Sequence, residues 1–172
     1  MQDKKNNTRA IILNSAFECF SQYGYSKTTF LGVAKIAGIS RQLIYKYFKN
    51  KEDLFVKMTG ETHDLFLKQS KRVLNSDISK KNKILKIVDI WIIQRHRVIL
   101  KSPNPNAWFD MLKSIPKCES RFRRLFINSM TPLLGDDLAE IFVYSIKGFL
   151  SDIPKVKILE KRIEVLINLL DI

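Results

Sequence analysis

The sequence predicts an all-α fold of about nine helices, and three observations carry that prediction. Nearly every segment repeats its apolar residues in steps of three and four, and none sustains the alternation of a strand. Capping residues and breakers punctuate these segments: Thr8, Thr29 and Ser40 stand before apolar runs, and Gly24, Gly38 and Gly135 separate them. Finally, 45% of the 172 residues are hydrophobic, enough for a packed core and incompatible with global disorder.

The first helix is expected from Thr8 as N-cap to Gly24, with Ile12, Leu13, Ala16, Phe17 and Phe20 on its buried face. A short helix follows from Thr29 to Ile36, and the tetrad Ala37-Gly38-Ile39-Ser40 breaks it. Ser40 caps a third helix that ends near Phe48. Lys51-Glu52 opens a long fourth helix toward Asn75. Lys80 to Lys101 forms a strongly apolar helix, and the Pro-Asn loop at 102–106 ends it. Four more helices are expected: Ala107 to Ser114, one after Pro116, Asp136 to Leu150, and one from Pro154 to near Asp171. No internal repeat, low-complexity tract or flexible linker interrupts them.

Thirty Lys and Arg face 17 Asp and Glu, a net charge of +13. That excess favours a polyanionic partner, nucleic acid first and an acidic membrane surface second. Residues 1–58 hold ten basic and four acidic side chains, so this segment is the more densely basic. Cys19 and Cys118 stand far apart in no motif, and Cys19 falls in an apolar pattern as a small buried hydrophobe. The N-terminus is polar, without a signal-peptide pattern. The densest apolar run, Ile90 to Ile93, falls far short of the ~20 residues a bilayer span needs. The expectation is a soluble, cytoplasmic protein with no membrane contact.

The most informative stretch is Phe30 to Phe48, FLGVAKIAGISRQLIYKYF. Two helices crossing at a tight turn need a small residue at the crossing, supplied by Ala34. They also need a residue tolerant of positive φ in the turn, supplied by Gly38. Val33, Ala37, Ile39, Ile44 and Phe48 are placed to lock the pair together and onto the first helix. The outward face of the second helix then carries Arg41, Gln42, Tyr45, Lys46 and Tyr47, chemistry suited to base edges and phosphates. Tyr45 also suits packing, and Lys46 and Lys49 are equally consistent with a solvated face.

Taken with Ile12, Ala16, Phe20, Gly24-Tyr25, Thr28-Thr29, Val33-Ala34, Ala37-Gly38-Ile39-Ser40, Ile44-Tyr45, Tyr47-Phe48, Lys51-Glu52 and Leu54, this pattern resembles the TetR family of bacterial transcriptional regulators. The resemblance covers residues 8–58; beyond them it is one of architecture, with Gly148 echoing a glycine of the family's eighth helix. It implies a helix-turn-helix DNA-binding domain at 1–50 and a helical ligand-binding and dimerisation domain at 51–172. Ser40, Arg41, Gln42 and Leu43 then open a recognition helix in the major groove, with Arg41 suited to guanine and Gln42 to adenine. Tyr45 and Tyr47 reach the backbone or a thymine methyl group. Thr29 and Lys51 hold phosphates near helix N-termini, and Lys4, Lys5 and Arg9 form a mobile basic arm. Leu31-Gly32 departs from the family, which often places Arg-Asp there, so a common phosphate or groove contact is missing.

The function implied is a ligand-responsive repressor that binds a palindromic operator as a homodimer through its last two helices. In those helices apolar residues recur at Leu138, Ile141, Phe142, Ile146 and Phe149, then at Leu159, Ile163, Leu166 and Leu170. For a small-molecule effector the candidates are Phe66, Trp91, Trp108, Phe109 and Phe126, with Phe122, Met111 and Met130 beside them; each is equally a core residue. The cluster Gln94-Arg95-His96-Arg97 interrupts the apolar run, and Arg95 and His96 are its polar candidates for an anionic or hydrogen-bonding group. His63 and His96 lack partners at metal-ligand spacing, so no metal and no cofactor is expected. A second function class, an architectural DNA binder indifferent to sequence, draws on the widespread positive charge. An enzyme has little support: G-x-S-x-G, P-loop, H-E-x-x-H and dinucleotide fingerprints are missing.

Overall fold

A computed structural model describes residues 2–103, 105–106 and 115–170. Among the described residues every regular element is helical: α1 Gln2–Lys27, α2 Phe30–Ala37, α3 Arg41–Tyr45, α4 Lys51–Leu74, α5 Lys80–Val88, a π-helical turn Asp89–Ile93, α6 Gln94–Leu100, α7 Pro116–Leu134, α8 Asp136–Phe149 and α9 Val156–Leu169. The expected helix from Ala107 to Ser114 lies outside the described residues. No helix among the described residues is long and apolar enough to cross a membrane.

Two elements differ from expectation at their ends. α1 is already helical at Gln2 and runs through Thr8, which is therefore no N-cap. Residues 2–7 contain no glycine or proline to break the helix. Lys4 and Lys5 lie within the span of α1, and Arg9 forms an ion pair with Glu61. α3 stops at Tyr45, and bonds from the Lys46 and Tyr47 amides to Leu43 and Ile44 tighten its last turn before Phe48.

The chain divides into two compact units, Met1–Thr62 with Ser102–Glu119, and His63–Lys101 with Ser120–Ile172. The core of the first is built by Ile12, Ala16 and Phe20 of α1, Val33 and Ala34 of α2, then Ile44, Phe48, Leu54 and Phe55, all buried. Phe20 meets Phe55 edge-on at 5.2 Å, and Tyr25 packs on both rings. Cys19 is buried as the apolar pattern predicts. Its sulfur also explains Gly32: a Cβ added there would stand 3.3 Å from Cys19 Sγ, so α2 sits on α1 where a side chain fits poorly.

The core of the second unit gathers around Trp91, which is fully buried among Ile84, Ile87, Phe126, Phe142, Ile146, Leu159 and Ile163. Ile90, Trp91, Ile92 and Ile93 are all buried, more than one α-helical stripe can turn inward. The π-turn resolves this. The Gln94 amide bonds to the Asp89 carbonyl five residues back, and the extra residue in the turn shifts the buried stripe.

Candidate nucleic-acid interface

α2 and α3 are joined by a turn in which each residue type has a geometric task. Thr29 Oγ1 accepts from the Gly32 amide and caps α2. Gly38 closes the helix in the left-handed region at φ 64°, ψ 32°, where a residue with a Cβ is strained. The Ile39 amide reaches back to the Ala34 carbonyl at 3.1 Å, the six-residue closure of a Schellman end. Ser40 then starts the next helix at once, its Oγ accepting from the Leu43 amide at 3.2 Å. Thr28, buried beneath, donates to the Gly24 carbonyl at 2.7 Å and helps end α1.

With Ile44 and Phe48 pinned in the core, α3 turns Arg41, Gln42, Tyr45 and Lys46 to solvent. Arg41 Nη2 donates to Tyr45 Oη at 2.9 Å and lies 5.4 Å above the Tyr45 ring, which rests on Phe30 at 4.8 Å. Tyr45 thus combines the packing and surface roles left open by the sequence: half its surface is exposed and one face props Arg41. Ser40 is exposed, whereas Leu43 and Tyr47 are half-buried. Thr29 is exposed beside its cap.

Lys51 is placed differently. Its Nζ donates to the carbonyls of Tyr25 at 2.7 Å and Ser26 at 3.1 Å, and stands 4.5 Å from the Tyr25 ring centre. Two of its three hydrogens therefore tie α4 to the end of α1, which leaves one for a phosphate. The start of α4 is fixed independently. Asn50 Oδ1 accepts from the Asp53 amide at 2.8 Å, while the Asp53 carboxylate takes the Lys49 amide at 2.9 Å and pairs with Lys57 at 3.0 Å. Burial works to raise the Asp53 carboxyl, but the Lys49 amide and the Lys57 ammonium outweigh it and hold the group below its usual range.

In the second unit the structure brings together five of the residues singled out for an effector. Phe66 meets Trp91 edge-on at 5.3 Å, Phe126 stacks on Trp91 at 5.6 Å, and Arg95 lies 4.9 Å over Phe122, itself 5.4 Å from Trp91. His96 does not join them: it is buried with Nε2 2.6 Å from the Pro154 carbonyl. Arg97 pairs with Glu160 at 2.8 Å and Asp89 at 3.7 Å. Trp108, Phe109 and Met111 lie outside the described residues.

The sequence did not single out His63, Ser70 or Arg121. His63 is buried between Trp91 at 6.3 Å and Phe122 at 5.5 Å, and Ser70 Oγ accepts from Trp91 Nε1 at 2.8 Å. Burial, aided by the charges of Arg95 and Arg121, pulls the His63 imidazole down to about 3, so it is neutral at physiological pH. Burial also lowers Arg95 to about 10. One signal was available: His63, Phe66 and Ser70 recur at the spacing of one α4 face. Among the described residues no cluster of His, Cys, Asp and Glu suits a metal ion.

Comparison with known proteins agrees with this geometry. Residues 12–58 match the model for bacterial regulatory proteins of the tetR family. The uncharacterized HTH-type transcriptional regulator YhgD of Bacillus subtilis (strain 168) is 47% identical over 47 residues, 27% of this chain and 25% of that protein. The HTH-type transcriptional regulator AcrR of Shigella flexneri is 44% identical over 54 residues, 31% of this chain and 25% of that protein. The chain therefore spans about a quarter of the length of these curated relatives. The fold extends the likeness: a transcriptional regulator from Cytophaga hutchinsonii superposes with a TM-score of 0.70 over 93% of this chain and 94% of its own, at 18% identity.

Proposed function

We propose that the chain is a member of the tetR family of bacterial regulatory proteins, whose model residues 12–58 match, and that it is a ligand-responsive transcriptional repressor acting on a palindromic operator as a homodimer. The observation that carries this reading is the turn at Gly38: two capped helices cross there, and α3 presents Arg41, Gln42 and Tyr45 to solvent while its other face is locked in the core. Residues 1–50 are the DNA-binding part and 51–172 the ligand-binding and dimerisation part. Arg41 and Gln42 read bases, Ser40, Leu43 and Tyr45 shape the contact, and Thr29, Lys46, Tyr47 and Lys51 serve the backbone. An effector acts by binding more tightly to the conformation whose two recognition helices do not match successive half-sites, which lie about 34–36 Å apart. The protein works in the cytoplasm, where the chromosome is, and has no catalytic role.

The test is selection of bound duplexes from a random library at near-physiological salt, repeated with Arg41→Ala and Gln42→Ala. A palindrome is expected, and each variant should lose roughly 1–3 kcal/mol of discrimination at its own base pair. Tight low-salt binding without enrichment, or unaltered selectivity in both variants, sinks the reading and favours a sequence-indifferent DNA binder.

A further inference from the structure

The second unit contains a cluster that packing alone does not explain. His63 is 97% buried, yet its Nδ1 has no hydrogen-bond partner. Arg121 donates from Nη2 to Asp64 at 2.6 Å, but its buried Nε also lacks a partner. Unpaired buried polar atoms destabilise a fold, so two in one place mark a position built for something besides stability. Three helices converge there: α4 with His63, α6 with Arg95 and α7 with Arg121 and Phe122. The π-turn ends at Ile93, and Arg95 is the second residue of α6 beyond it.

The chemistry of the cluster is asymmetric. The guanidiniums of Arg95 and Arg121 lie near the neutral imidazole, and Asp64 pairs with Arg121 from the solvent side. A cation in the same place would meet two positive charges. A carboxylate or similar acid group would take charge-assisted hydrogen bonds from guanidinium N–H groups and give His63 its missing partner. Directly beyond stand the rings of Phe122, Trp91 and Phe66, a surface for an apolar or aromatic body.

We propose that His63, Arg95 and Arg121 bind the acid head of an amphipathic organic anion whose apolar part lies against Phe122, Trp91 and Phe66. The inference rests on the ligand-responsive reading above and names the class of effector for it.

The experiment is calorimetric titration of the full chain with matched pairs of probes: decanoate and decan-1-ol, and 2-naphthoate and 2-naphthylmethanol. The acid of at least one pair should bind tenfold or more tightly than its alcohol. Arg95→Met and Arg121→Met, each checked for an intact thermal transition, should erase that preference, and Arg95→Lys should restore part of it. Equal affinity for acid and alcohol, absence of binding by every acid, or a preference that survives both Met substitutions overturns the proposal. DNA selection with the ligand-free protein separates the two failures. Operator binding without acid preference ends this inference alone, and acid preference without operator binding ends the regulator reading.

Discussion

At the scale of single residues, the same chemical change has opposite signs at two glycines. Gly38 sits at φ 64° with open space around its missing Cβ, so alanine there clashes with nothing and suffers only the backbone penalty. Gly60 lies inside α4, also with nothing near, but with helical backbone. Gly38→Ala should destabilise by about 1 kcal/mol and Gly60→Ala should stabilise by about 0.5–1 kcal/mol in denaturant titrations. A second residue-scale effect comes from His63. Unfolded, its imidazole takes a proton near the reference value of about 6.5; folded, it resists protonation down to about 3. Its contribution to stability is therefore fully present above pH ~6.5 and is lost progressively as pH falls toward the folded value. Wild type should lose more stability than His63→Asn between pH 7.5 and pH 4.5, and parallel losses would show that the imidazole does not couple to folding.

At the scale of elements, caps decide where α3 begins. α3 is too short to hold itself by propagation, so the Ser40 cap and the lock of Ile44 and Phe48 in the core sustain it. Ser40→Ala should cost about 1 kcal/mol in thermal or denaturant unfolding. This part of the site was legible in the sequence because its constraints are local: Ala34, Gly38 and Ser40 stand at fixed short spacing, and each fits one conformation. The π-turn was not legible, since a periodicity argument sees a continuous apolar run at 87–93 and cannot register one extra residue in a turn. Nor was the cluster of His63, Arg95 and Arg121, which comes from three helices separated by long stretches of chain. The same run of residues shows the contrast in small: Arg95 turned toward an aromatic ring, whereas neighbouring His96 was taken up by the Pro154 carbonyl.

At the scale of the whole molecule the open question is what covers the last two helices. Periodicity identified α8 and α9 but not which face turns inward. Phe142, Ile146, Leu159 and Ile163 are consumed by the chain's own core, and the exposed apolar residues are Ile141 and Tyr144 on α8 and Ile158, Val165 and Leu169 on α9. Ile141, Tyr144 and Gly148 recur at three and four residues, as do Ile158, Val165 and Leu169 at multiples of a helical turn, so each helix carries one outward apolar stripe. Single exposed apolar residues are ordinary, but two stripes on helices that pack together form a patch. The homodimer proposed above would bury such a patch isologously, the same patch of each copy facing the other. Because Ile141 is 59% exposed and Val165 49% exposed, replacing both with lysine removes little from the core. The double variant should therefore remain folded by circular dichroism yet sediment as a monomer. Uncoupling two half-site contacts removes the gain from effective concentration, so affinity for the full palindrome should fall by about 10²-fold or more while affinity for an isolated half-site stays unchanged. A variant that still sediments as a dimer would place the interface on another surface.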